Sequence, residues 1–176
     1  MTDRITLELD VAPVLARLDQ LLRALGPGGL QAPLAEIGED LVESTKQRFA
    51  TSTAPDGSRW APNSMATIMG MLEGSSGNFR KDGRLSKRGA TRVANKKPLV
   101  DTGVLQDTIR YQVEGDSLFV GTNRLLGEKN PVSPAVHQFG SKDGRIPARP
   151  FLGVDDDDVR RILEVLERHL SGGALQ

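Results

Sequence analysis

Cysteine is absent from the chain. Its absence excludes a disulfide framework and a thiolate zinc site. Aromatic residues are scarce, at 4% of the sequence with a single Trp and a single Tyr, so Leu, Ile and Val must fill any core. Net charge is missing too: 23 Lys and Arg balance 23 Asp and Glu, which removes a global electrostatic reason to bind nucleic acid. The opening MTDRITLELD holds no apolar run, so no signal peptide is expected. No stretch approaches the roughly 20 apolar residues that a membrane helix needs. The expectation is a soluble chain, made in the cytoplasm, with no membrane partner.

The motifs of common chemistry are also missing. There is no GxSxG, no HExxH, and no GKS or GKT after Gly121-Thr122-Asn123, so that tripeptide reads as a turn rather than a phosphate loop. His137 has no positioned partner in the sequence, and a general base needs one. It reads as a structural histidine beside Phe139. His169 sits near the end of a helix, where a positive charge is favourable. Asp155 to Asp158 invite a calcium reading. Calcium loops require spaced ligands and a glycine turn, and DDDDVRR has neither. No catalytic, cofactor or metal residue is assigned.

What is present is organisation. At 176 residues the chain is long enough for one domain with a real core, taken as 1–176 with a flexible basic insert at 73–97. Ile5, Leu7 and Leu9 alternate with polar residues as a short half-buried strand does. Asp10 can cap a helix whose face is Val11, Val14, Leu15, Leu18, Leu22 and Leu25, stopped at Gly26-Pro27. A second helix spans about 32–49, with Leu34, Ile37, Leu41, Val42, Thr45 and Phe49 on one face. Pro55-Asp56-Gly57 is a turn that presents Trp60. A short helix is expected within 63–72 despite Gly70, and another from Leu99 to Gln106, capped by Asp101 or Thr102. Ile109, Tyr111 and Val113 alternate, Glu114-Gly115-Asp116 turns, and Leu118 and Val120 alternate again, which is a β-hairpin. Ser133-Pro134 opens a short helix that Gly140 ends. The last helix places carboxylates at its N-terminus and lines up Val159, Ile162, Leu163, Leu166 and Leu170. The fold class is α+β: a small antiparallel sheet with packed helices, long N-terminal helices and a C-terminal helix.

Charge is unevenly spread. Residues 1–45 are acidic. Residues 80–97 carry Arg80, Lys81, Arg84, Lys87, Arg88, Arg92, Lys96 and Lys97 against Asp82 alone. Residues 73–97 bury too little apolar surface to order themselves unaided and read as a mobile basic loop. Such a loop is either a solvated segment or a surface that touches DNA phosphates without sequence preference. Phe79 is its one aromatic residue, so base stacking is not expected.

The segment Ile146-Pro147-Ala148-Arg149-Pro150 carries two prolines three apart, which stiffen it into an extended arm. Phe151-Leu152 gives the arm an apolar anchor. Two readings stay open. Phe151 packs on the chain's own core while Arg149 caps a local carbonyl, or the arm clasps a neighbouring subunit with Arg149 on its carboxylate. On the second reading Ile146, Pro147, Arg149, Pro150, Phe151 and Leu152 lie at the subunit interface.

The order Pro55-Asp56-Gly57, Trp60-Ala61-Pro62, Lys97-Pro98-Leu99, Thr102-Gly103-Val104-Leu105, Val120-Gly121-Thr122-Asn123, His137-Gln138-Phe139-Gly140 and Ile146 to Gly153 resembles the phage virion morphogenesis and tail completion proteins, the Mu-like group included. The likeness runs from about Leu34 to Leu170. It implies a structural subunit at the head–tail junction or upper tail end of a virion, assembled in the host cytoplasm. It further implies a ring of copies around the DNA channel, neck, connector or tail proteins as partners, and no catalysis. The eight cations of 80–97 are then the channel-facing candidates. The alternative function is a nonspecific DNA-binding module working through that segment.

Overall fold

Gly28 and Gly29 turn the chain into the helix that begins at Gln31, and the hydrogen bond from Gln31 N to Gly28 O at 2.9 Å closes that turn. The computed structural model describes residues 28–123 and 132–173, with Ala12, Leu15, Ala16 and Gly26. The expected strand at 5–9 and nearly all of the expected helix at 11–25 lie outside the described residues.

Helix α1 is Gln31–Thr51. Its buried stripe is Pro33, Ile37, Gly38, Thr45, Arg48 and Phe49, close to the face the spacing implies, with Arg48 as an unexpected member. It ends at Ser52 in the left-handed region (φ 57°), where Ser52 N bonds Arg48 O. The Pro55-Asp56-Gly57 turn follows as expected. Gly57 N donates to Ala54 O, Asp56 Oδ1 accepts from Ser58 N, and a bridge joins Thr53 to Arg59.

Helices α2 (Met65–Glu73) and α3 (Lys87–Asn95) come next. Each is started by a serine whose hydroxyl accepts an amide from the first turn, Ser64 from Thr67 and Ser86 from Gly89, which satisfies one of the orphan donors at a helix start. Residues 73–97, read from composition as a loop, therefore hold a bridge and the helix α3. An antiparallel bridge pairs Phe79 with Leu85, and α3 follows at once. The organising group is a polar side chain rather than apolar surface. Asn78 is fully buried and donates to Leu72 O at 2.7 Å and Ser75 O at 3.0 Å.

Helix α4 is Val104–Asp107, shorter than the expected 99–106. Leu99 adopts a positive φ of 59°, which a helix cannot contain. Asp101 is drawn to Lys96 at 2.6 Å, so neither expected cap is used and α4 starts behind Gly103. Strands β1 (Ile109–Glu114) and β2 (Ser117–Thr122) form the antiparallel hairpin, pairing Tyr111 with Val120 and Val113 with Leu118. Helix α1 lies on that face. At Gly38 an added Cβ would sit 2.5 Å from the Tyr111 ring, so helix and strand approach more closely there than any side chain permits. On the other face Phe119 is 57% exposed.

Helix α5 (Pro134–Phe139) is capped by Ser133 and ended by Gly140. Helix α6 (Asp156–Gly173) packs on α1. Asp155 Oδ1 accepts from Asp158 N at 2.8 Å, and Asp158 Oδ2 accepts from Asp155 N at 3.1 Å, a reciprocal cap built from two aspartates. The helix is rotated from its expected face. Val159 and Leu163 are exposed, whereas Asp158 and Val165 are buried. The carboxylate of Asp158 is wanted inside, and it turns the helix accordingly. The core is Phe49, Ala54, Trp60, Leu105, Ile109 and Phe151, flanked by Val42, Leu99, Val100 and Leu152.

Candidate subunit interface and channel surface

The arm is stiff and extended, and it lies along its own chain. Arg149 N donates to His137 O at 2.7 Å. Arg149 Nε donates to Ala61 O and its Nη2 to Pro62 O, both at 2.8 Å. Trp60 Nε1 donates to Pro150 O at 2.8 Å. Gln138 holds the next turn: its Oε1 accepts from Phe151 N and Leu152 N, and its Nε2 donates to Leu152 O. The Phe151 ring lies 5.5 Å from that of Phe49, which meets Trp60 edge-on at 5.4 Å. Three sequence boxes, Trp60-Ala61-Pro62, His137-Gln138 and Ile146 to Gly153, are thus one contact.

Of the six interface candidates, Arg149 and Phe151 are buried within the chain, and Pro150 and Leu152 are half-buried. Of the two open readings, the local one describes their contacts. Ile146 is half-buried and Pro147 exposed, so the elbow before Arg149 is the part of the arm that offers a surface. Burial pulls the Arg149 guanidinium down from its ordinary pKa, because desolvation disfavours the charged form.

Beneath the arm lies Arg48, which the sequence reading passed over. Its side chain donates to Phe151 O at 3.3 Å, Gly153 O at 2.8 Å, Asp155 Oδ2 at 3.0 Å, Asp158 Oδ2 at 2.5 Å and Ser44 Oγ at 3.1 Å. One planar fork therefore ties α1 to the end of the arm and to the start of α6. A signal was available: Arg48 stands three residues after Thr45 on the apolar stripe of α1, and four aspartates wait downstream for a cation. Burial pushes the Asp158 carboxyl upward. Hydrogen bonds to Ser44, the Asp155 amide and Arg161, with the charge of Arg48, more than offset it and leave the pKa below its usual value. The bond to Asp158 raises Arg161 in turn. Asp155 and Asp158 are thus cap and counter-ion, and among the described residues no cluster of three acidic or histidine side chains could hold a metal.

The eight cations of 80–97 divide. Arg92 hydrogen-bonds Ser75 Oγ, Lys96 pairs with Asp101, and Lys97 donates to Ala50 O at 2.8 Å. Arg80, Lys81, Arg84, Lys87 and Arg88 are exposed. Among the described residues none of these five forms an ion pair.

Comparison with known proteins supplies a context. The chain is 30% identical over 162 residues to "Tail completion protein S" of Escherichia phage P2, an alignment covering 88% of this chain and 93% of that protein. It is 35% identical over 132 residues to "Mu-like prophage FluMu G protein 2" of Haemophilus influenzae, covering 72% of this chain and 86% of that protein. No solved structure matches the chain. The family model for phage virion morphogenesis proteins matches residues 9–171, and the chain accordingly belongs to the phage virion morphogenesis family.

Proposed function

We propose that the chain is a structural subunit that completes the tail of a phage, acting at the head–tail junction or the upper tail end. The observation that carries this reading is the likeness to the P2 tail completion protein along 93% of that protein's length. The role is mechanical and assigns no catalytic residue. Copies repeat around the DNA channel as a ring, and the finished ring meets neck, connector or tail proteins. A rigid subunit suits such work, because a closed ring requires the same contact geometry at every step. The Arg48 fork and the docked arm supply that rigidity. The elbow at half-buried Ile146 and exposed Pro147 is the arm's contribution to contacts between copies.

A second reading, a nonspecific DNA-binding module, is favoured by the five exposed and unpaired cations of 80–88. Light scattering coupled to size exclusion, at low and high salt, separates the two. A discrete ring-sized oligomer supports the structural reading, and its mass counts the copies. A monomer at every concentration speaks against self-assembly. The test then moves to capture of purified tail and connector proteins, where failure to bind either would sink the reading.

A further inference from the structure

The basic segment is built like a tool. Arg80 N donates to Arg84 O at 2.7 Å and Gly83 N to Arg80 O at 3.0 Å, which closes a tight hairpin with Lys81 and Asp82 at its tip. Asp82 does not neutralise its neighbours through a salt bridge; its Oδ1 accepts from Arg84 N at 3.0 Å. Ser86 N bonds Asn78 O, and Ser86 Oγ donates to Gly77 O. The base of the hairpin is thereby sewn to the start of α3, where Lys87 and Arg88 stand. The unit rests on buried Asn78. Gly89 makes the seating possible, since a Cβ there would overlap the Asn78 carbonyl. No hydrogen bond or ion pair joins residues 79–88 to α1 or α6 among the described residues.

Holding five like charges in one small ordered unit is unfavourable in isolation. It becomes favourable against a polyanion, and the rigid display reduces the freedom lost on binding. Phosphates repeat along a duplex whatever its sequence, so a fixed cluster of guanidinium and ammonium groups finds partners in any register. Phe79 is the segment's one aromatic residue, and a single ring offers no succession of stacking platforms, so the surface suits the phosphate backbone rather than the bases.

We propose that residues 78–88 form a preformed hairpin that binds duplex DNA phosphates through Arg80, Lys81, Arg84, Lys87 and Arg88, while Arg92 ties α3 to Ser75 and Lys96 and Lys97 tie the end of the segment to Asp101 and to Ala50 of α1. The proposal rests on the reading of the chain as a subunit around a DNA channel, and it narrows eight candidate cations to five.

The test is fluorescence anisotropy of the full chain with two 30-base-pair duplexes of unrelated sequence, titrated from 50 to 200 mM NaCl. Five phosphate contacts give a slope of log K against log salt of about −4.5, which is roughly a 500-fold loss of affinity across that range. Both duplexes bind alike. The triple variant R80Q/K81Q/R84Q loses about 2.7 from the slope, whereas Arg92→Gln leaves it unchanged. Gly89→Ala keeps every charge yet weakens binding, because it displaces the hairpin from its seat; the melting of buried Trp60 fluorescence checks that the body is intact. A wild-type slope shallower than about −1, or an unchanged slope in the triple variant, overturns the proposal. So does a triple variant that loses self-association while binding DNA as before, which would give the hairpin to another copy of the chain. A chain that binds DNA with the expected slope yet never assembles keeps the hairpin and discards the ring. A ring without salt-sensitive DNA binding does the reverse.

Discussion

Arg48 of α1 and Asp158 of α6 meet Nη2 to Oδ2 at 2.5 Å, 110 residues apart in sequence and both almost wholly buried. A buried pair of this kind is costly to break from one side, because the surviving charge loses its buried partner and keeps only a more exposed one, Asp155 for Arg48 or Arg161 for Asp158. Replacing Asp158 with Ala should destabilise the fold by about 3–5 kcal/mol. Arg48→Met, which removes the charge but keeps much of the volume, leaves the buried Asp158 carboxylate with Arg161 as its remaining cation. Urea denaturation followed by Trp60 fluorescence reads both losses. The double variant Arg48→Met/Asp158→Leu should recover a large part of the loss, since an apolar pair leaves no stranded charge.

Acid sensitivity follows from the same carboxylate. The pKa of Asp158 is lower in the fold than in the unfolded chain, so the unfolded state binds its proton first as pH falls. The stabilisation is complete above the ordinary aspartate range of about 4 and is lost as pH drops through the lower folded value. Urea midpoints measured from pH 6 down to pH 2 should fall over that window. In Asp158→Asn the starting stability should be lower and the decline shallower. An equally steep decline in that variant would show that other carboxylates carry the effect.

Phe151 anchors the arm at 1% exposure, between Phe49 and the rest of the core. Truncation to Ala should cost about 3–5 kcal/mol. The loss appears as a lower melting temperature of the isolated subunit, before any assembly is involved. Pro147→Ala, at the exposed elbow, should leave the melting temperature nearly unchanged. Comparing the oligomer masses of the two variants therefore distinguishes a folding role from an interface role within one short segment.

Arg149 spans two carbonyls with two different nitrogens. A lysine has one ammonium and cannot reproduce that fork. Arg149→Lys and Arg149→Met should both release the arm, each at about 1.5–3 kcal/mol. Hydrogen exchange would show the release as faster exchange at the Arg149 amide, which donates to His137 O. Protection equal to wild type in Arg149→Lys would mean that the prolines alone hold the arm in place.

Gly38 should resist substitution. Gly38→Ala places a methyl group 2.5 Å from the Tyr111 ring, and the strand must move or the ring must leave its rotamer, at about 1–3 kcal/mol. The measured change in urea midpoint checks this. A neutral result would show that the hairpin slides freely on α1.

The elements with a clean period were legible in the sequence. The hairpin has a strict alternation and a two-residue turn, α1 has a clear apolar stripe although its N-cap Leu30 makes no side-chain bond, and α5 carries its start and stop signals in Ser133-Pro134 and Gly140. The resemblance also pointed to the right family. Three features were not legible, each for a reason. The face of α6 is set by Asp158, so counting apolar residues turned the helix toward Val159 and Leu163, which are exposed. Residues 73–97 are organised by a buried asparagine and a serine cap, which composition does not register. That Arg149 caps carbonyls of its own chain was one of two open readings, but that they are those of Ala61 and Pro62, nearly ninety residues away, no local pattern encodes.

The Arg48 fork has a consequence for the order of events during synthesis. Every acceptor it finds outside α1 lies between Phe151 and Asp158. Until those residues leave the ribosome, α1 carries a guanidinium on its inward stripe with nothing to neutralise it, and the Phe49–Trp60 pair lacks its third ring. Long-range closure of this kind is slow compared with local helix formation. The stripe of α1 around Arg48 therefore lacks its partners until residues 151–158 are made. The contacts that lock α1 to the arm and to α6 close only once residues 151–158 have been made, so the order in which the fold is completed is set by one side chain of α1.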